Sequence, residues 1–188
     1  VAHDMTVRDN FTYFPPASAH GSNNLGYVAG CADSVVTGNA FVGPNALTLV
    51  NCLPAMTKNI FVGSVDPTDL PQEFNDNTYL PSLLTGMQVS VRPNRYEAGR
   101  AHVVVYNWDL QTQINVDLSA SGLRNGQNYE IRDVQNLFDQ PILSGTYTGA
   151  PVTLPMTGLR TAIPTWNHAV MPRSTLPEFG VFLVLPRS

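Results

Sequence analysis

Six residues in the first part of this chain have side chains of the types that proton-transfer chemistry uses. General acid–base catalysis needs a proton donor and a proton acceptor placed together, and carboxylates and imidazoles fill these roles most often. The candidate catalytic residues are His3, Asp4, Arg8, Asp9, His20 and Asp33. The competing interpretation is that these residues occupy turns and the surface, where the same residue types are common.

Aromatic residues in polar surroundings form a second group of candidates. A flat ring can stack on the C–H face of a sugar while nearby amides or acids bind the hydroxyls. The carbohydrate-binding candidates are Trp166, Tyr96 and Tyr13. Trp166 is the preferred one, because Asn167 and His168 follow it in a proline-rich segment. Trp108 ends a strongly apolar run and is predicted to lie in the core.

Four acidic residues follow one another closely in a proline-containing stretch: Asp66, Asp69, Glu73 and Asp76. Calcium is bound by oxygen ligands in turns of this kind, although the spacing does not match an EF-hand loop. We interpret the stretch as a solvated connection, with calcium near Asp66, Asp69 and Asp76 as the alternative. No other cofactor is predicted, and the two cysteines lack the spacing of a zinc site.

An internal repeat shows which elements must position these side chains. Residues 25–43 and 46–63 match with a period of about 20 residues. The matching pairs are Cys31 with Cys52, Asn39 with Asn59, Phe41 with Phe61, and Gly43 with Gly63. Short β runs and polar corners at this period predict a β-solenoid, in which each coil stacks on the next to bury its apolar side. Like residues should then form ladders, with Asn39 hydrogen-bonded to Asn59.

The two cysteines occupy equivalent positions in consecutive coils. Stacking would place them about 4.8 Å apart, which is one strand spacing. That distance permits either a disulfide or a pair of stacked, buried thiols, and we favour the thiols.

Residues 5–14 match the second half of a coil, so the chain opens in mid-coil. An uncovered solenoid end would expose apolar side chains and unpaired strand edges. We therefore expect preceding coils or another chain to cover this end. The first residue is Val1 rather than Met, which indicates a processed mature protein or an excised fragment.

The predicted fold class is all-β, in three parts. Residues 1–65 form the last coils of a parallel β-helix, 66–85 form a connection, and 86–188 form an antiparallel β-sandwich. The sandwich is predicted from about seven short alternating runs separated by turn signals. These runs are 87–91, 101–108, 114–118, 129–134, 142–147, 152–156 and 180–185.

Charge and composition exclude some classes of partner. The net charge is -4 and the ten Lys and Arg residues are scattered, so no basic stripe exists to bind a nucleic acid backbone. No apolar run approaches the roughly 20 residues that span a bilayer. Low charge together with many Asn, Thr, Gly and Pro residues favours a secreted protein.

The repeat resembles right-handed parallel β-helix proteins of the pectate-lyase-like group. The resemblance lies in Thr37-Gly38-Asn39-Ala40-Phe41-Val42-Gly43 and Thr57-Lys58-Asn59-Ile60-Phe61-Val62-Gly63 and covers about the first third of the chain. It implies a secreted bacterial protein, in which the Asn10-Phe11-Thr12 glycosylation pattern would have no meaning. Enzymes of this group use clustered acidic and basic residues on one solenoid face, normally drawn from several adjacent coils.

The second part is similar to the β-domain appended to bacterial β-helix proteins and, more loosely, to the carboxy-terminal sandwich of glycoside hydrolases. The residues concerned are 91–94, 103–108, 129–134 and 177–182. In those enzymes the sandwich is an accessory module and the catalytic carboxylates lie elsewhere, so the resemblance transfers no catalytic residue to this part.

These observations lead to one functional hypothesis and two alternatives. The hypothesis is a non-catalytic carboxy-terminal portion of a secreted β-helix protein that acts on or binds polysaccharide, with the sandwich stabilising the solenoid end. One alternative is part of a glycoside hydrolase or polysaccharide lyase whose active groove lies in other coils or in another chain. The other is an extracellular assembly subunit that stacks through its open solenoid end.

Overall fold

The computed structural model describes residues 2–18, 22–81, 84–165 and 170–187. The fold is mostly β, as predicted, and it divides into two compact units, Val1–Leu84 and Thr85–Ser188. In the described ranges, every helix is too short to cross a lipid bilayer.

The described residues of the first unit form nine strands and one short helix. They are β1 (Ala2–His3), β2 (Thr6–Arg8), β3 (Phe11–Tyr13), β4 (Ser22–Ala32), β5 (Val35–Thr37), β6 (Ala40–Cys52), β7 (Ala55–Thr57), β8 (Ile60–Asp66), α1 (Leu70–Glu73) and β9 (Thr78–Leu80). All pairings between these strands are parallel. One sheet has the order β1-β4-β6-β8-β9, with β3 also paired to β6, and the other has the order β2-β5-β7.

The register brings the repeated positions together, as the sequence predicted. Phe41 pairs with Phe61, which pairs with Tyr79, and the rings stack at centroid distances of 5.5 and 5.1 Å. Val36 and Met56 pair in the second sheet and complete the same apolar core. Stacked rings of similar size fill this core without voids, which explains why the repeat keeps an aromatic residue at this position.

An asparagine ladder runs beside these strands and is longer than predicted. The backbone N–H and side-chain Nδ2 of Asn39 both donate to Oδ1 of Asn59, each at 2.9 Å. Asn10 donates to Asn39 in the same way, and Asn59 donates to Asn77. Asn39 and Asn59 are each only 1% exposed, so the ladder satisfies polar groups that burial would otherwise leave unpaired.

The ladder ends differently at its two ends. At Asn77 the carbonyl oxygen of Phe74, just after α1, accepts from both the backbone N–H and Nδ2 and so takes the place of a further asparagine. At the other end, Asn10 is exposed. Residues 66–85 were predicted to be a connection, yet this stretch contains α1, β9 and the last asparagine of the ladder.

The prediction of free thiols is wrong, because Cys31 and Cys52 form a disulfide. Their Cα atoms lie 4.8 Å apart, the strand spacing that the repeat predicted. Stacking in register therefore brings the two sulfur atoms within bonding reach. The bond covalently joins β4 to β6.

Glycine is required at one repeated position. Gly63 has a φ of +127°, and a Cβ at this residue would collide with the carbonyl oxygen of Gly43 in the neighbouring strand. Only a residue without a side chain permits this approach of the two backbones.

Where the structure describes the second unit, it has seven strands, all paired antiparallel. They are β10 (Met87–Pro93), β11 (Ala101–Asn107), β12 (Gln113–Val116), β13 (Asn128–Asp133), β14 (Leu143–Thr146), β15 (Val152–Pro155) and β16 (Phe179–Arg187). A five-stranded sheet has the order β10-β11-β16-β13-β14, and β12 pairs with β15. One apolar core contains residues of both sheets, including Val103, Ile131, Leu154 and Phe182.

Candidate functional site

The acid–base candidates of the first unit do not form a buried site in the described parts of the chain. His3 Nδ1 lies 4.0 Å from a carboxylate oxygen of Asp33, and their side chains are 63% and 79% exposed. Arg8 lies 3.5 Å from Asp9, and both side chains are about half exposed or more. Exposed pairs of this kind interact weakly because water screens them.

The backbone gives a structural reason for three of these carboxylates. Asp4, Asp9 and Asp33 have φ values of 53°, 59° and 52°, which lie in the left-handed region. Each residue directly follows a strand, and Gly38 and Lys58 take the same conformation where Asp9 recurs in the repeat. Aspartate tolerates this conformation better than most residues. Corner geometry therefore accounts for these aspartates without a catalytic role.

The remaining predicted residues are scattered. His20 and Trp166 lie outside the described residues. Tyr13 is half-buried in β3, whereas Tyr96 is 90% exposed in a turn where its backbone N–H donates to Oδ1 of Asn94. Tyr13 belongs to the first unit and Tyr96 to the second.

The calcium alternative finds no support among the described residues. Asp66 ends β8, Asp69 precedes α1 and Asp76 follows it, and no group of three or more acidic, histidine or cysteine side chains is close enough to hold a metal ion there or elsewhere in the described ranges.

Trp108, which was predicted to lie in the core, stacks on Tyr106 with ring centroids 5.6 Å apart. It is half-buried, whereas Tyr106 is only 1% exposed. Burial raises the pKa of the Tyr106 hydroxyl. Most of the ring surface in this pair is therefore used in packing.

A concave surface of the second unit lies on the outer face of the five-stranded sheet. Tyr129 and Ile131 point into the core, so the alternate residues of β13, Glu130 and Arg132, point away from it. Glu130 and Arg132 line two compartments, which together we call the outer groove. The polar compartment, of about 650 Å³, is lined by Asn128, Gln140, Ser144, Thr146 and Arg187 in addition to this pair.

Glu130 is the centre of this groove. Its side chain is only 6% exposed, and one carboxylate oxygen accepts from Nε of Arg132 at 2.6 Å. The other oxygen lies 3.4 Å from Nε of Arg187, whose own side chain is 61% exposed. A buried carboxylate is tolerated because two guanidinium groups replace the water that it loses.

Arg132 also fixes the loop that follows β13. Its Nη1 donates to the carbonyl oxygens of Leu137 at 3.1 Å and Asp139 at 2.5 Å. These two carbonyls flank Phe138, whose side chain is 96% exposed. One arginine thus holds both the buried carboxylate and the backbone on either side of an exposed aromatic ring.

The apolar compartment lies beside this ring. It has a volume of about 430 Å³ and is lined by Arg100, Leu137, Phe138, Leu183 and Leu185 together with the Glu130–Arg132 pair. An apolar floor and an exposed ring next to charged and amide groups suit a ligand that has one apolar face and several polar substituents.

Glu130 is the only carboxylate among the described residues that line the two compartments, whereas glycoside hydrolysis generally uses two. Both of its oxygens face arginines.

The sequence analysis missed the outer groove. The alternation Tyr129-Glu130-Ile131-Arg132 does indicate that Glu130 and Arg132 share a face of a strand. No local pattern indicates Arg187 or Phe138, because the first comes from a distant strand and the second from a loop.

Comparison of the chain with protein-family models, with curated proteins and with solved structures found no match in any of the three.

Proposed function

We propose that this chain is a non-catalytic carboxy-terminal portion of a secreted β-helix protein that binds polysaccharide, and that the outer groove is its glycan site. The observation that carries the proposal is the exposed ring of Phe138, in a loop whose backbone Arg132 holds beside the buried carboxylate of Glu130. A loop backbone that is already fixed loses little entropy on binding, so the ring can stack on a sugar at smaller cost.

The parallel registers of the first unit support the β-helix part of the proposal. Equivalent residues stack in columns, and four asparagines, Asn10, Asn39, Asn59 and Asn77, form one hydrogen-bonded ladder. In the second unit, two antiparallel sheets that share one core support a β-sandwich. The resemblance to pectate-lyase-like β-helix proteins rests on the same repeat.

The disulfide supports secretion, because such bonds persist mainly in oxidising compartments outside the cytosol.

The edge of β2 supports a further partner. β2 lies at one end of the order β2-β5-β7, so its outer edge can take one more parallel strand, whether from this chain or another. The proposal is that such a strand covers this edge in the working protein.

The test is binding of the full chain to a panel of soluble plant and bacterial polysaccharides, measured by affinity electrophoresis and calorimetry. We expect at least one polysaccharide to bind, and Phe138→Ala to weaken its binding by about tenfold, since the loss of a stacking ring costs about 1–2 kcal/mol. Because Phe138 is almost fully exposed, the variant should unfold at the same temperature as the unchanged protein.

The matched control is Tyr27→Ala, which removes another exposed aromatic ring, 76% exposed, from the first unit. This variant should bind like the unchanged protein. Binding to no polysaccharide, or equal losses in both variants, would contradict the proposal. Release of sugar fragments from any member of the panel by the chain alone would favour the enzyme alternative.

A further inference from the structure

We infer that the outer groove selects glycans that carry an anionic group, and that Arg187 is the residue that recognises this group. The inference rests on the proposed function and names the ligand class of the same site. It is argued from the charges that line the groove and from the hydrogen-bonding capacity that they leave unused.

The groove carries positive charge in a protein that is negative as a whole. Three guanidinium groups line it, those of Arg100, Arg132 and Arg187, against the single carboxylate of Glu130. Arg100 is paired with Glu97 at 3.1 Å, which leaves two guanidinium groups for one carboxylate. The net charge of the chain is -4, so this local excess is not a consequence of overall composition.

The three arginines differ in how many of their hydrogen-bond donors remain unused. Arg132 uses Nε and Nη1 on Glu130 and on two loop carbonyls, so it serves to position the loop. Arg187 contacts Glu130 only through Nε, and its side chain is 61% exposed. Its two terminal nitrogens have no acceptor among the described residues, and they form the fork that binds a carboxylate or sulfate in a bidentate manner.

Glu130 makes this arrangement selective. A buried carboxylate beside Arg187 orients the guanidinium group while cancelling part of its charge. A bound anion, together with Glu130, would give two negative groups for the two guanidinium groups of Arg132 and Arg187. A neutral sugar would leave one positive charge unpaired.

The common chemistry of the ligand is an oxyanion attached to a sugar ring, either the carboxylate of a uronic acid or a sulfate ester. The polar compartment, of about 650 Å³, holds the charged substituent and the hydroxyls. The ring of Phe138 and the Leu183–Leu185 floor cover the apolar face of the sugar.

The experiment compares short oligomers of polygalacturonate, the same oligomers after complete methyl esterification, dextran sulfate oligomers and dextran oligomers, by calorimetry on the full chain. We expect a charged oligomer to bind at least about tenfold more tightly than its neutral counterpart, as one charge-assisted contact predicts. The uronate and sulfate arms distinguish the two sources of the anion.

Arg187→Gln should lower affinity for the charged oligomer by about tenfold, and Arg187→Lys, which keeps the charge but not the fork, should lose less. Arg95→Gln is the control, because it removes one exposed positive charge of the same unit outside the groove lining. Thermal unfolding of each variant checks that the second unit remains folded.

Two outcomes overturn the inference alone. They are equal or tighter binding of the neutral oligomers, and a loss in Arg95→Gln as large as that in Arg187→Gln. In both cases a glycan still binds, so the proposed function stands. If neither these oligomers nor the wider panel of polysaccharides binds, the proposed function itself fails, and the inference fails with it.

Discussion

The asparagine ladder and the outer groove both bury strongly polar side chains, but they satisfy them in opposite ways. Asn39 and Asn59 are 1% exposed, and each finds its partner in the equivalent asparagine of the next strand. Glu130 is 4% exposed, and its partners are two arginines of which one is largely exposed. In the interior of the ladder the side-chain hydrogen-bonding groups are used within the protein, whereas the groove keeps hydrogen-bond donors that face solvent. The first arrangement therefore contributes to stability, and the second supports the proposed recognition of a ligand.

The largest effect is expected from breaking the interior of the ladder. Asn59→Ala leaves two N–H donors of Asn39 without their acceptor and removes the Nδ2 donor from Oδ1 of Asn77, which keeps only the backbone N–H of residue 59. Buried groups left unsatisfied cost about 1–3 kcal/mol each, so a loss of about 3 kcal/mol is expected from the first unit. Denaturant unfolding followed by circular dichroism measures it.

Asn10→Ala is the matched control, because Asn10 makes the same contacts at the exposed end of the ladder. Water can replace them there, so a loss of about 1 kcal/mol or less is expected. Equal losses in the two variants would show that burial does not decide the strength of the ladder.

A smaller effect is expected from the centre of the groove. Glu130→Ala removes the carboxylate but leaves two arginines that can reach water. The contact of Glu130 with the exposed Arg187 contributes little to stability. We expect a loss of about 1–2 kcal/mol in unfolding free energy, mostly from Arg132. Binding of the charged oligomer should weaken as well, because Arg132 then holds the Phe138 loop less firmly.

Retained binding in Glu130→Ala, together with unchanged stability, would show that this buried pair neither supports the fold nor orients the site. Calorimetry and thermal unfolding of the same preparation measure both quantities.

The smallest effect concerns Asp133, which ends β13 and is 6% exposed. Burial raises the pKa of its carboxyl group, and a hydrogen bond from the backbone N–H of Gln135 only partly opposes this. The folded protein therefore holds this proton more tightly than the unfolded chain, so stability falls as pH rises through the range between the unfolded and folded pKa values.

Asp133→Asn can keep the hydrogen bond from Gln135 without carrying a charge. It should melt at a slightly higher temperature than the unchanged protein at pH 7, and this difference should vanish below the pKa of an unfolded aspartate. A variant that is less stable at pH 7 would contradict the assigned role of burial.

The ladder and the groove also differ in how many of their contacts could be predicted from the sequence. The pairs Asn39–Asn59 and Phe41–Phe61 were predicted correctly, because a parallel stack places identical residue types one period apart. Asn10 and Asn77 were missed as members of the ladder. Asn10 was placed in the partial coil of residues 5–14 and noted as a glycosylation pattern, but it was not assigned to the ladder. Asn77 lies in a stretch interpreted as a connection, where the period changes.

The groove could not be predicted in the same way. Glu130 and Arg132 are two residues apart, but Arg187 reaches them only through the pairing of β13 with β16. Such a long-range antiparallel register leaves no repeat in the sequence. The disulfide lies between these cases. The distance between Cys31 and Cys52 was predicted correctly, but the bond between their sulfur atoms was not.

The measurement that tests the central claim most directly is a titration of the isotope-labelled full chain with the tightest-binding oligosaccharide, followed by backbone amide chemical shifts. The account predicts that the shifts concentrate at Glu130, Arg132, Phe138 and Arg187, while Asn39 and Asn59 stay unchanged. The account would be contradicted if the shifts concentrated at Asp4, Asp9 and Asp33 of the first unit while the amides of the groove residues did not shift.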